Sequence, residues 1–259
     1  MIIFCSRWIF LTLALSGSQL AFAVDISKDE RQSSYQLMTV ENQAMQDDPN
    51  LNPAWFWVMD GQTLWKESSG KRAVSCSSCH GESGKTMAGV ATRYPKIVQG
   101  RLRTLEGQIN QCRVSRQDAK ALAYESKELL ALTSFVATQS KGMPIAVRET
   151  PQNSKDLKQG RQFFNERMGQ LNLSCAQCHQ DRAGLKLGGS LIPQGHPTAY
   201  PIYRIEWQTM GSLQRRLRNC MSGVRAKQFD YGSIEMAQLE LYLMWRARGM
   251  TLESPGVRP

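Results

Sequence analysis

The chain has 259 residues, 41% apolar and 21% charged, an ordinary globular composition long enough for one large or two modest domains. It carries 32 Lys and Arg against 22 Asp and Glu, a formal charge of +10. These values exclude a fibre, a collagen, a largely disordered chain and a multispanning membrane protein. With the charge dispersed rather than gathered in a basic arm, they favour small anions and acidic proteins over nucleic acid as partners.

The only strongly apolar stretch stands first. Met1 to Arg7 carries one positive charge, Trp8 to Leu15 is a short apolar core, and Ala21-Phe22-Ala23 supplies the small residues a signal peptidase needs. Residues 1–23 therefore read as an export signal cut after Ala23, which leaves 31 basic and 22 acidic residues, a formal +9 and no membrane span. Residues 24–54 are polar and acidic and are expected to form an arm wrapped on a first domain.

Seven cysteines are present, and Cys5 leaves with the signal. In an oxidising compartment the remaining six would ordinarily read as three disulfides. Four of them fall instead into two copies of one pattern, Cys76-Ser-Ser-Cys79-His80 and Cys175-Ala-Gln-Cys178-His179, the attachment signature of c-type haem. The spacing has a chemical reason. Two thiols, Cys76 and Cys79 or Cys175 and Cys178, add to the two porphyrin vinyl groups, and the adjacent His80 or His179 then lies beneath the iron as a ligand. A single copy can also serve a dithiol or zinc site, whereas two copies in an exported chain predict two covalently bound haem c groups.

The copies belong to an internal duplication. Tyr94-Pro95 and Tyr200-Pro201 precede matching helical stripes, Leu105, Ile109, Cys112 and Leu213, Leu217, Cys220, each at i, i+4, i+7. The segments Ser126 to Met143 and Ser233 to Met250 align at an offset of 107, the stripe cysteines at 108 and the haem motifs at 99. The second copy thus carries a longer loop, Gly184 to Pro201, and long insertions in small domains tend to be functional. Each copy reads as a helix at or before the haem motif, a loop, a short helix bearing Cys, and a longer amphipathic helix, through Leu122 to Val136 or Met236 to Trp245. The predicted fold is mainly α, two tandem class I-like cytochrome c domains at 55–150 and 151–259, joined through Pro144 to Asn153.

Candidates for the second axial ligand are Met87, Met143, Met221 and Met250, or the stripe cysteines Cys112 and Cys220; a disulfide between those two cysteines is a further alternative. The cysteines are preferred, because the distal ligand of a haem domain lies between the haem motif and the last helix, whereas Met143 and Met250 follow that helix. A thiolate also donates strongly to iron and lowers its potential.

Two haem motifs with a downstream Cys each, the early segment Asn52-Pro53-Ala54-Trp55-Phe56-Trp57-Val58 with Leu64-Trp65, and Arg215-Arg216-Leu217-Arg218-Asn219-Cys220-Met221 resemble the dihaem SoxA family of SoxAX cytochromes. The resemblance spans nearly the whole mature chain. It implies a periplasmic L-cysteine S-thiosulfotransferase that pairs with a smaller SoxX-like monohaem cytochrome and conjugates thiosulfate to a cysteine of a SoxYZ-like sulfur carrier. It also implies that the second-domain cysteine works as a persulfide.

The copies differ four residues before the stripe cysteine, where the first has Gln108 and the second Arg216. That spacing puts Arg216 one turn from Cys220 on the same face, with Arg218 pointing elsewhere. A guanidinium fork fits the sulfonate end of thiosulfate. The plainer reading of Arg216 is a solvated charge or a partner for a haem propionate; the resemblance favours substrate binding, with Cys220 as the catalytic sulfur. His196, in Gly195-His196-Pro197, is expected to be a surface or structurally bonded histidine rather than a copper or proton-transfer site. Glu82 and Lys85 are read as surface charges, and Trp55, Phe56, Trp57 and Trp65 as packing around the first haem. The competing classes are a dihaem electron carrier without sulfur transfer and a dihaem peroxidase, the latter disfavoured by a plausible distal ligand in both copies.

Overall fold

A computed structural model describes residues 26–82 and 84–259, so the expected export signal lies outside the described residues. In the arm, α1 (Val40–Asp47) is started by Thr39, whose hydroxyl accepts the Asn42 N–H. The first half then contains α2 (Ala54–Lys66), α3 (Ser77–His80), the hairpin β1 (Lys96–Val98) and β2 (Arg101–Arg103), α4 (Leu105–Cys112) and α5 (Lys127–Thr138). The second half contains α6 (Ser154–Asn165), α7 (Cys175–His179), β3 (Lys186–Leu187) with β4 (Ser190–Leu191), β5 (Ile202–Arg204), β6 (Thr209–Gly211), α8 (Leu213–Gly223) and α9 (Ile234–Arg246). The tail forms β7 (Gly256–Arg258), parallel to β5, while β6 lies antiparallel on the other side of β5.

The sequence places helix starts at matching positions. Thr104 and Ser212 cap α4 and α8 by accepting the N–H of Gly107 and Arg215, and Ser126 and Ser233 cap α5 and α9. Each such cap stabilises its helix by about 1 kcal/mol. The first and last helices of each half cross at a glycine. A Cβ on Gly61 would stand 2.1 Å from the Ala131 carbonyl oxygen, and one on Gly160 would stand 2.0 Å from that of Gln238, the residue 107 positions after Ala131. Beside these crossings the ring pairs Trp65–Phe135 and Phe164–Tyr242 occupy equivalent places, both with centroids 5.4 Å apart.

The two halves meet about a local pseudo-twofold relation. Residues 142–145 run antiparallel to 249–252, with Pro144 opposite Thr251, and Ile145 N–H and Gly249 N–H donate to the carbonyls of Met250 and Ile145 at 2.8 Å. Tyr124 and its repeat mate Tyr231 stack across the same junction, 6.2 Å apart and 15° from parallel. The largest core cluster is shared: Ala91, Ala137, Ile145 and Val147 from the first half join Leu157, Phe164, Met236 and Leu239 from the second. α5 is buried continuously from Leu129 to Ala137 rather than being amphipathic, because three clusters enclose it: Ala137 joins this one, Leu130 packs with Tyr203 and Val257, and Phe135 and Val136 pack with Val58 and Trp65. The helix also starts later than the stripe suggests: Leu122 lies before it, with both its backbone groups bonded to the Asn110 side chain.

The joining segment 144–153 is packed, not loose, because Ile145 and Val147 insert into the common core. The arm departs from expectation more sharply: its polar contacts go to the second half. Ser33 bonds Thr198, Gln32 N–H donates to the Gln194 side chain, Gln46 accepts the Val257 N–H, and Asn52 donates to the Pro255 carbonyl. The arm's polar groups find side-chain partners in the 194–198 loop and backbone partners in the C-terminal tail. The outer face of α2, by contrast, offers Phe56 and Met59 and stays exposed. The aromatic group therefore divides: Trp65 is buried near His80, with ring centroids 5.7 Å apart, while Trp57 packs on Tyr203 in the second half.

Candidate functional site

Both haem motifs sit on short helices whose first turn is tied by one residue of the motif and the serine just before it. Ser174 and Gln177 form a reciprocal capping box at α7, the Ser174 N–H donating to Gln177 at 2.9 Å. In the first half Ser75 and Ser78 make the corresponding pair, with Ser78 N–H on the Ser75 hydroxyl at 3.0 Å. Ser75 with Ser78, and Ser174 with Gln177, thus fix the turn that presents Cys76, Cys79 and His80, or Cys175, Cys178 and His179.

His179 is oriented by the long loop. Its Nδ1 lies 2.8 Å from the Pro193 carbonyl oxygen, which can only accept, so Nδ1 carries the proton and Nε2 keeps its lone pair for a metal. Burial holds the imidazole pKa below the ordinary histidine range, with the Pro193 bond opposing, and this favours the neutral ring that ligation needs. Gly195 lies flat against that ring: a Cβ there would come within 3.2 Å of Cγ. In the first half the Trp65 indole donates to the Gly81 carbonyl at 2.9 Å beside His80, and Thr86 donates to the His80 carbonyl.

Each stripe cysteine lies close enough to the first thiol of its haem motif to act on it electrostatically. In the free chain Cys175 is pushed up to about 12, first by burial and next by the nearby Cys220 thiol, while Cys76 is raised by burial with Cys112 contributing. Cys112 ends α4 and passes into a π-turn, Arg113–Gln117, whose Gln117 side chain bonds Ser69 and the Val74 carbonyl. The Gln108 amide donates to the Cys112 sulfur at 3.4 Å. All six described cysteines are free thiols. Met221, next to Cys220, is buried in the shared core, and Met143 and Met250 lie in the pairing of the two halves.

Arg216 and Cys220 lie on one side of α8. The charge of Arg216 acts on His179 and on Tyr200, and the Cys220 sulfur acts on Cys175 and on Tyr200, so these groups are near neighbours. Arg218 faces away, donating to the Phe229 carbonyl and lying 4.5 Å above the Tyr231 ring. Tyr200 is pushed up to about 12 chiefly by burial, with the Cys220 sulfur contributing, as its repeat mate Tyr94 is by burial and Cys112. Sequence reasoning used both tyrosines only as repeat markers; the Tyr-Pro pair shortly before each stripe, 11 residues before Leu105 and 13 before Leu213, was the available signal. His196 is buried, its Nδ1 bonded to the Gln32 carbonyl at 3.0 Å, and ties the arm to the loop. Glu82 is exposed and lies 4.0 Å from Lys66.

The donor set fits covalent haem in each half: paired thiols on a short helix, an adjacent histidine and, in the second half, a loop that cradles the neutral imidazole. Comparisons with known proteins agree. The sequence model of the SoxA/TsdA cytochrome c domain matches residues 60–145 and 159–252. The chain is 32% identical over 232 residues to the L-cysteine S-thiosulfotransferase subunit SoxA of Rhodovulum sulfidophilum, covering 89% of this chain and 81% of that one. It is equally similar, 32% over 233 residues with 89% and 82% covered, to the SoxA subunit of Pseudaminobacter salicylatoxidans. Its fold matches the crystal structure of SoxXA from P. pantotrophus with a TM-score of 0.86 at 29% identity, covering 88% of this chain and 87% of that one. The duplicated Cys-x-x-Cys-His halves, the paired stripe cysteines and these likenesses together make the chain a member of the SoxA family of cytochromes c.

Proposed function

We propose that the chain is the dihaem subunit of an exported L-cysteine S-thiosulfotransferase, with the sulfur chemistry at Cys220 in the second half. The observation that carries this reading is the placement of Arg216 one turn before Cys220, where the first half has Gln108 bonded to Cys112. The family names of the relatives support the activity. His80 with Cys112 and His179 with Cys220 would hold the irons of haem c in the two halves, and the bound groups would supply one-electron acceptors.

The residues divide the work. Arg216 grips the sulfonate of thiosulfate by its planar fork and points the terminal sulfur at Cys220. A sulfur-sulfur bond forms between the Cys220 thiolate and that terminal sulfur, releasing two electrons and giving a Cys220 S-thiosulfonate. A thiolate of the carrier protein then attacks the sulfane sulfur, taking the thiosulfonate group and returning Cys220 as thiolate, so that each turnover consumes one carrier thiol and one thiosulfate and releases one proton and two electrons. Tyr200, a neutral phenol whose hydroxyl burial raises further, adds no charge near Cys220. The electrons leave through a SoxX-like monohaem cytochrome, and the periplasm is where the carrier, the partner and the cleaved signal coincide.

The test is reconstitution of the purified holoprotein with its monohaem partner, thiosulfate and a carrier bearing one reactive cysteine. Intact mass spectrometry should show a thiosulfate adduct on the carrier cysteine that depends on the holoprotein. A carrier left unmodified while the haems are reduced would identify a plain electron carrier instead.

A further inference from the structure

Arg246, the last residue of α9, is 2% exposed, one of the largest fully buried side chains among the described residues. A guanidinium at that depth is costly unless it is bonded and its charge is used. Its Nη1 donates to the Gln194 carbonyl at 3.1 Å, and its plane lies 4.3 Å above the Phe164 ring, itself 1% exposed. Gln194 directly follows Pro193, whose carbonyl accepts the His179 Nδ1–H, and precedes Gly195, which packs on the same imidazole. The Pro193–Gly195 segment is thus held between Arg246 on one side and His179 on the other. The charge of Arg246 acts on both His179 and Cys175.

The first half lacks this cation. The residue 107 positions earlier is Gln139, whose amide donates to the Phe135 carbonyl of its own helix at 3.2 Å. Glutamine is therefore replaced by arginine twice between the halves: Gln108 by Arg216 on the sulfur side, and Gln139 by Arg246 on the histidine side.

We infer that Arg246 is a positioning residue for His179 and a fixed positive charge that raises the reduction potential of the second haem above the value the same ligands would give it. The inference rests on His179 ligating iron in the second half and does not depend on sulfur transfer at Cys220. A buried positive charge beside the iron–imidazole unit favours the reduced state, which carries one positive charge less, and low dielectric preserves that effect. A thiolate ligand pulls the potential down, and Arg246 opposes it, so that the second iron remains able to accept electrons released at Cys220.

The test is a potentiometric titration of the holoprotein followed by electron paramagnetic resonance, with the first haem in the same sample as internal reference. Arg246→Gln installs the first half's residue and should lower the second haem's reduction equilibrium constant about tenfold, ~59 mV for a one-electron couple, while leaving the first haem unchanged. Arg246→Lys keeps the charge and should hold the potential near that of the unmodified protein, while broadening the low-spin signal because a compact ammonium does not hold the Pro193–Gly195 segment as the fork does. Equal potentials for Arg246→Gln and the unmodified protein, with the low-spin signal intact, would overturn the inference and leave the His179 assignment standing. If Arg246→Gln fails to retain haem, Arg246→Lys decides: a potential that falls despite the retained charge overturns the electrostatic role, and a preserved potential supports it. Loss of the low-spin histidine signal only on replacement of His179 tests the ligation separately.

Discussion

The Gln108 amide donates to the Cys112 sulfur at 3.4 Å, and 108 residues later Arg216 stands in the same helical relation to Cys220. A neutral amide bonded to one sulfur, and an arginine four residues before the other on its helix, separate two otherwise equivalent sites. The first sulfur has a hydrogen-bond donor suited to holding a ligand in place. The second has, one turn away, a cation suited to an incoming anion.

Arg216→Lys keeps the charge and loses the fork, so kcat/KM for thiosulfate-dependent carrier loading should fall tenfold to a hundredfold, the ~1.5–3 kcal/mol of a charge-assisted hydrogen bond. Arg218→Lys is the matched control, since Arg218 is engaged with Phe229 and Tyr231 on the other side of α8. It should change kcat/KM less than about threefold. Steady-state loading rates for the two variants, with haem content checked in each, decide the matter. Equal losses would remove the distinction between the two faces.

Gly160→Ala tests the packing of the second half. Its new Cβ would fall 2.0 Å from the Gln238 carbonyl oxygen, so α6 and α9 must separate. The expected cost is about 3 kcal/mol, from forced displacement of two packed helices. Denaturant unfolding followed by circular dichroism measures it, and a loss under about 1 kcal/mol would show that the crossing is looser than described.

The interface between the halves also predicts a pH effect. Glu106 and Glu240 line one small cavity there, and burial raises both carboxyl pKa values, that of Glu240 well above the ordinary value. Each also raises the pKa of groups around it: Glu106 that of Glu240, and both that of Tyr124; Gln214 bonded to Glu240 and Thr104 bonded to Glu106 oppose the shifts. Because the folded chain holds these protons more tightly than the unfolded chain, their stabilisation is complete below the unfolded carboxylate pKa of about 4.3 and is lost as pH rises toward the folded value. Glu240→Gln should flatten that decline and be more stable than the unmodified protein at alkaline pH. Urea unfolding at a mildly acidic and a mildly alkaline pH checks this; an unchanged slope in the variant would assign the pH dependence elsewhere.

Much of the architecture is legible in the sequence because it is written in local spacing. The Cys-x-x-Cys-His turns, the i, i+4, i+7 stripes to Cys112 and Cys220, and the offset repeats each act over one or two helical turns or one constant interval. The arm was not legible, because Gln32, Ser33, Gln46 and Asn52 have no periodicity and their partners lie more than 160 residues away. Nor was the pairing of residues 142–145 with 249–252, which depends on how two copies fold against each other rather than on either copy. At the site, Arg216 could be read from its interval to Cys220. Pro193 as acceptor for His179 could not, because a backbone carbonyl leaves no mark in the side-chain sequence.

The most direct test of the whole account compares Cys220→Ala with Cys112→Ala in thiosulfate-dependent loading of the carrier, read by intact mass spectrometry on proteins shown to retain both haems. Cys220→Ala should leave the carrier cysteine unmodified. Cys112→Ala should load it, with only the first haem's low-spin signal altered. An inactive Cys112→Ala beside an active Cys220→Ala would move the chemistry to the first half and leave the contrast of Gln108 with Arg216 without a catalytic meaning.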